Sequence, residues 1–151
     1  MPVSGLPSGF ARALRWSFKA KWGAFQYEAL AERVKPLAEA THIRFDCADG
    51  YWEVVPIEEL ADLRVVFVLS MNDDLILNEF DTPLRMMFPA KYGYKSAKGV
   101  TTVTFTNEGD AGYWSTVGPY TAHGDIQLGV DFPQDLPGER KQIEGGEITA
   151  Y

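Results

Sequence analysis

Apolar and polar residues alternate most clearly in the middle of the chain. "THIRFDC" alternates from a β-branched start and predicts a strand; "ADG" supplies a turn, and "YWEVVP" predicts a second strand. "RVVFVLSM" is a continuous apolar run, the pattern of a strand covered on both faces. "NDD" then turns the chain, "LIL" begins another short strand, and "VTTVTFT" alternates as a further one. Helix formers dominate "QYEALAERVKPLAEA", where Tyr27, Leu30 and Val34 share one face and Pro36 marks the end. "IEELAD", after Pro56, predicts a short helical turn. "FARALRWSFKAKWGAF" mixes apolar and basic residues with no clean period, so it predicts no element. Pro2, Gly5, Pro7 and Gly9 make residues 1–9 a flexible start, and residues 108–151 predict a mostly irregular tail with aromatic punctuation. The expectation is one α+β domain over residues 1–151, built on a mixed β-sheet.

Composition narrows the function more than the fold. At 151 residues the chain is long enough to bury a core, and 13% aromatics favour β structure with an aromatic-walled pocket. A net charge of −7 argues against nucleic acid as a partner, because phosphate neutralisation needs a basic footprint. The single cysteine, Cys47, excludes a disulfide framework and a thiolate-rich zinc site. His42 and His123 have no metal-ligand spacing, so His42 reads as a strand residue and His123 as a loop residue. No apolar run is long enough to span a bilayer. No secretion signal is read at the start of the chain, and the compartment stays open.

One stretch stands against the acidic background. "KYGYKSAKG", at residues 91–99, gathers three lysines, a serine and two glycines between an apolar run and a strand. Lys95, Ser96 and Lys98 have the chemistry to hold one anion, and a phosphate suits two ammonium groups and a hydroxyl. A solvated basic turn explains the same residues. The glycine spacing of a nucleotide-triphosphate loop is absent.

The ordered succession of "THIRFDCADGYWEVVPIEEL", "MNDDLILNEFDTPLRMMFPAKYGYKSAKGVTTVTF" and "GYWSTVGPY" resembles the oxidoreductase molybdopterin-binding domain of the sulfite oxidase family. That family includes sulfite oxidases, plant nitrate reductase and bacterial periplasmic methionine sulfoxide reductases. The resemblance runs from about Trp16 to Tyr120 and implies a molybdopterin cofactor carrying molybdenum. It places Lys95, Ser96 and Lys98 on the terminal phosphate of the pterin, with Arg85 facing the same cofactor. Tyr51 falls where sulfite oxidases carry an active-site tyrosine. Asn72 matches a turn, and Trp16 and Trp22 match tryptophans that follow the metal-binding cysteine. The implied reaction is oxygen-atom transfer on a small-molecule substrate, with a haem domain or cytochrome as electron partner. Relatives are often periplasmic.

The chain departs from this pattern in three places. The cysteine that binds molybdenum in the family precedes the matched tryptophan by four residues, and Arg12 stands there; a guanidinium is no soft ligand. No metal ligand is therefore assigned, and Cys47 reads as a small buried side chain at a strand end. Phe80 and Asp81 replace a histidine–glycine pair of many relatives. The β-rich stretch that precedes the cysteine loop in the family is not matched, which implies an N-terminally incomplete fold. Two functions follow: an oxidoreductase domain of this type, shortened or degenerate, or a non-catalytic module that binds the pterin or a protein partner.

Overall fold

The computed structural model describes residues 9–13, 16–76, 82–118, 120–126, 130–131 and 141–142. In chain order the elements are β1 (Gly9–Ala13), β2 (Trp16–Ala20), β3 (Trp22–Phe25), α1 (Tyr27–Val34), β4 (His42–Cys47) and β5 (Trp52–Pro56). They continue with a 3₁₀ turn (Ile57–Ala61), β6 (Val66–Met71), β7 (Asp74–Leu75), β8 (Arg85–Met87) and a second 3₁₀ turn (Gly93–Lys95). The last are β9 (Val100–Thr106), α2 (Tyr113–Val117), β10 (Val130–Asp131) and β11 (Lys141–Gln142).

Among the described residues, one sheet has the order β5-β4-β9 and a second has β3-β6-β7, with β8 also paired to β6. All of these pairings are antiparallel. β1 and β2 form a separate hairpin in which Arg12 faces Ser17, and β10 pairs with β11. The α+β class is that expected and the sheets carry most of it, but the expected mixed sheet is not found, since every strand pairing among the described residues is antiparallel.

Alternation explains which face each strand buries. In β4 the buried residues are Ile43, Phe45 and Cys47, every second position, and they meet Phe67 of β6 and Met86 of β8 between the sheets. Phe67 is the hub: its ring stacks on Phe25 at 5.0 Å and meets Phe45 edge-on at 6.0 Å. Val66 and Val68 point the other way, into a second cluster with Ala20, Trp22, Ala24 and Met87. The continuous apolar run of β6 is thus read correctly as a strand covered on both faces. Its far end differs, since Leu69 and Met71 are exposed.

The helix starts and stops as its sequence dictates, with Lys35 in the left-handed region just before Pro36. Tyr27 and Leu30 pack on the core, whereas Val34 is exposed. The unperiodic stretch before the helix is not coil but supplies β1, β2 and β3. Gly23 brings β3 close to β6, where a Cβ would lie 2.0 Å from the Ser70 hydroxyl oxygen and force that side chain to turn away. Residues 1–8 and the Phe80–Asp81 pair lie outside the described residues.

Asn72 and Asp73 make the two-residue turn between β6 and β7, with φ of 54° and 72°. That is the geometry of a type I′ hairpin, which favours glycine at the second position. Asn72 also closes onto Lys21 through both its amide and its side chain, which ties the turn to the start of β3. Asp73→Gly relieves left-handed strain and loses only an exposed pairing with Lys21. Chemical denaturation should show it stabilised by about 0.5–1 kcal/mol.

Candidate functional site

The lysine loop is built on turns rather than on a strand. Tyr92 leads into the 3₁₀ turn at residues 93–95, and the Ser96 amide closes back on the Gly93 carbonyl. Arg85 and Lys98 then face each other as an antiparallel bridge, with Met86 N–H donating to Ala97 O and Val100 N–H to Leu84 O. This pairing sets two cations from separate segments side by side. Ser96 is buried and its hydroxyl oxygen accepts from Phe88 N–H at 3.1 Å, which leaves the hydroxyl proton available to an acceptor. Lys98 is exposed. The Arg85 guanidinium lies over the Trp22 ring at 5.5 Å.

Lys95 behaves differently from its neighbours. It is 1% exposed, and its ammonium lies 2.5 Å from Glu53 Oε1, 2.7 Å from the Ala122 carbonyl and 3.3 Å from the Val54 carbonyl. Three protons meet three acceptors, so the expected phosphate contact finds this side chain already occupied. Lys91 is likewise buried. It donates to His123 O at 2.8 Å and pairs with Asp125 at 2.7 Å and Glu59 at 3.1 Å. Both partners of the Lys95 pair are essentially sealed from solvent, and removing one partner from such a pair costs about 3–5 kcal/mol.

Glu53 is the residue that sequence reasoning missed. It sits in the apolar strand β5, fully buried. Its Oε1 accepts from Lys95 and from Val54 N–H at 3.0 Å, and its Oε2 lies 2.9 Å from the Tyr51 hydroxyl. Burial pushes its pKa above the ordinary carboxylate range, and Lys95 pulls it only partly back. The available signal was a lone acid inside "YWEVVP". Gly112 is shaped to it, since a Cβ there would lie 1.9 Å from Glu53 Oε1.

Tyr51 stands between Glu53 Oε2 and the Tyr94 carbonyl. Its hydroxyl has one proton, which lies between the Glu53 carboxylate and the Tyr94 carbonyl. Burial first, then the Glu53 charge, raise the pKa of the phenol, so it acts as a neutral hydrogen-bonding group. From Tyr51 an aromatic ladder runs outward. Tyr113 meets both Tyr51 and Trp52, Trp114 meets Tyr113 at 5.4 Å, and Tyr120 bridges Trp114 and Tyr94 at 5.4 and 5.0 Å. The structure therefore brings Tyr51 and Lys95 together through Glu53. Arg85 and Lys98 are brought opposite each other by their backbone bridge, and Ser96 is buried against the Phe88 amide. His42 is held by Thr41 at 2.8 Å, and His123 is an exposed loop residue.

A sequence model of the oxidoreductase molybdopterin-binding domain matches residues 5–114. The chain belongs to that family. Among curated proteins it is 26% identical, over 89% of its length, to the protein-methionine-sulfoxide reductase catalytic subunit MsrP of Burkholderia mallei. It is 23% identical, over 87% of its length, to the MsrP of Pseudomonas syringae pv. tomato. A putative protein-methionine-sulfoxide reductase subunit, YedZ1, of Azospira oryzae is 25% identical over 68% of the chain. The chain covers 46%, 44% and 39% of these relatives, so it spans less than half of their length.

Family membership implies the molybdenum cofactor, and the donor set divides over it. The phosphate end is suited by Ser96, Lys98 and Arg85, which offer a hydroxyl proton and two cations. The metal end is not suited. Cys47, the only cysteine in the sequence, is buried, and its pKa is pushed up to about 11 by burial and by Asp49. Among the described residues no three His, Cys, Asp or Glu side chains group as metal ligands. No described helix is long and apolar enough to cross a membrane.

Two outcomes follow from this geometry. An unfolded thiol ionises near its ordinary 9.0 and the folded one near 11, so rising pH through that window favours unfolding. Cys47→Ala should flatten that part of a stability–pH profile, and native Cys47 should resist iodoacetamide at pH 8 while the denatured chain reacts. Gly112→Ala should destabilise by about 1–3 kcal/mol in denaturant titration, because the new methyl has Glu53 in its place.

Proposed function

We propose that this chain is the cofactor-holding domain of a sulfite-oxidase-type oxidoreductase that acts on methionine sulfoxide within proteins. The observation that carries the reading is the backbone pairing of Arg85 with Lys98, two residues after Ser96, within a chain whose curated relatives are named as protein-methionine-sulfoxide reductases. In this reading Lys98 and Arg85 neutralise the phosphate of the pterin and Ser96 donates to it. Charge-assisted bonds of this type contribute about 1.5–3 kcal/mol each. When bound, the cofactor supplies two-electron oxygen-atom chemistry, taking a sulfoxide, two electrons and two protons to a thioether and water. In this reading Tyr51, a neutral phenol held by Glu53, is the residue on the substrate side. Electrons come from a haem or cytochrome partner.

A second reading has support of its own. Arg12 stands where the family's ligand cysteine is expected, and Cys47 holds its proton, so the chain offers no thiolate to molybdenum. A non-catalytic module that keeps the organic cofactor fits those two facts.

Pterin content and turnover separate the readings. The chain is purified from a host that makes molybdenum cofactor, its pterin is released by acid and oxidant, and the fluorescence is quantified per chain. Near-stoichiometric pterin is expected, and none would sink both readings. Reduction of an oxidised protein substrate by reduced viologen then supports the oxidoreductase, whereas pterin without molybdenum or turnover supports the module.

A further inference from the structure

Residues 121–126 are tied to the lysine loop at every level. Tyr92 N–H donates to Gly124 O at 2.7 Å and Ile126 N–H to Ala90 O at 3.1 Å. The Tyr94 hydroxyl donates to Thr121 O at 2.6 Å, and Ser115 adds a second bond to the same carbonyl. Gly124, at φ 66°, lies so close to the stem of Lys95 that a Cβ there would sit 2.5 Å from its Cγ. The two buried ammonium groups complete the attachment, Lys95 on Ala122 O and Lys91 on His123 O and Asp125.

We infer that Lys95 and Lys91 are latch residues that hold segment 121–126 on the loop, and that Lys98 is the lysine that meets the anion. The second half rests on the cofactor reading above; the first does not. Lys95 has its three protons committed at 1% exposure, whereas Lys98 is exposed and set beside Arg85 and Ser96. The latch makes two positively charged residues of a phosphate-like motif into cross-braces. Lys95 joins β5 to the segment, and Lys91 joins the 3₁₀ turn at Glu59 to it. Lys95 is thus a brace between β5 and segment 121–126, apart from the anion site.

Amide hydrogen exchange of the full chain tests the latch, and pterin content tests the anion site. Lys95→Met alone would strand the Glu53 charge, so it is combined with Glu53→Gln, whose amide keeps partners in Val54 N–H and Tyr51. In this double variant the Tyr92 and Ile126 amides should exchange at least about tenfold faster while the Phe45 amide in β4 keeps its protection. Asp125→Ala, at a side chain 68% exposed, should speed the same two amides and decides the matter if the double variant fails to fold. Unchanged exchange at those amides would overturn the latch. Pterin per chain should stay at the parental level in the double variant and fall about tenfold at limiting cofactor in Lys98→Ala. Pterin lost from a double variant with intact β4 protection would make Lys95 the phosphate ligand, and full retention in Lys98→Ala would remove Lys98 from the site. A parental chain without pterin would defeat the cofactor reading and the Lys98 assignment together, leaving exchange to judge the latch.

Discussion

The contact between Glu53 and Lys95, 2.5 Å apart and closed to solvent, constrains more of this structure than any other. Removing two charges from water is costly, and their attraction offsets that cost only if the remaining protons and lone pairs are used. Here they are used. Val54, Tyr51, Ala122 and Glu53 itself take part, so one ion pair fixes β5, the lysine loop, the tyrosine and the segment at 121–126 relative to one another. The glycines at 112 and 124 follow from the same constraint, since each leaves room for one member of the pair.

Such an arrangement separates two roles that a motif merges. "GYKSAK" presents cations and a hydroxyl in close sequence, yet the turn at residues 93–95 sends Lys95 inward and leaves Lys98 outward. Charge for an anion and charge for the scaffold come from the same few residues. The sheets hold this division in place, because Arg85 pairs with Val68 of β6 on one side and with Lys98 on the other.

Local pattern revealed the strands with a buried face and missed those without a period of their own. β4, β5, β6 and β9 follow the alternation or the apolar run that names them, because each buries side chains against a core it can reach locally. β1, β2 and β3 were not legible. Their residues mix aromatics, lysines and glycine, and β3 gains its place through register with β6 across 40 or more residues, as in Trp22 opposite Met71. The site was half legible. The composition of the loop pointed to anion chemistry, but the burial of Lys95 and Lys91 depends on partners 42 and 34 residues away. A lysine gives no sign in its own neighbourhood that a carboxylate will be waiting inside a distant strand.

The aromatic ladder has an optical consequence. Tyr113 and Tyr120 each touch Trp114, and Tyr94 touches Tyr120, with centroids 5.0–5.4 Å apart. At such separations tyrosine excitation passes to tryptophan before it is emitted, so these tyrosines should be dark and Trp114 and Trp52 emit for them. The transfer from Tyr94 crosses from the lysine loop to the segment that covers it. Tyrosine emission therefore reports whether the lysine loop and Tyr120 have come apart.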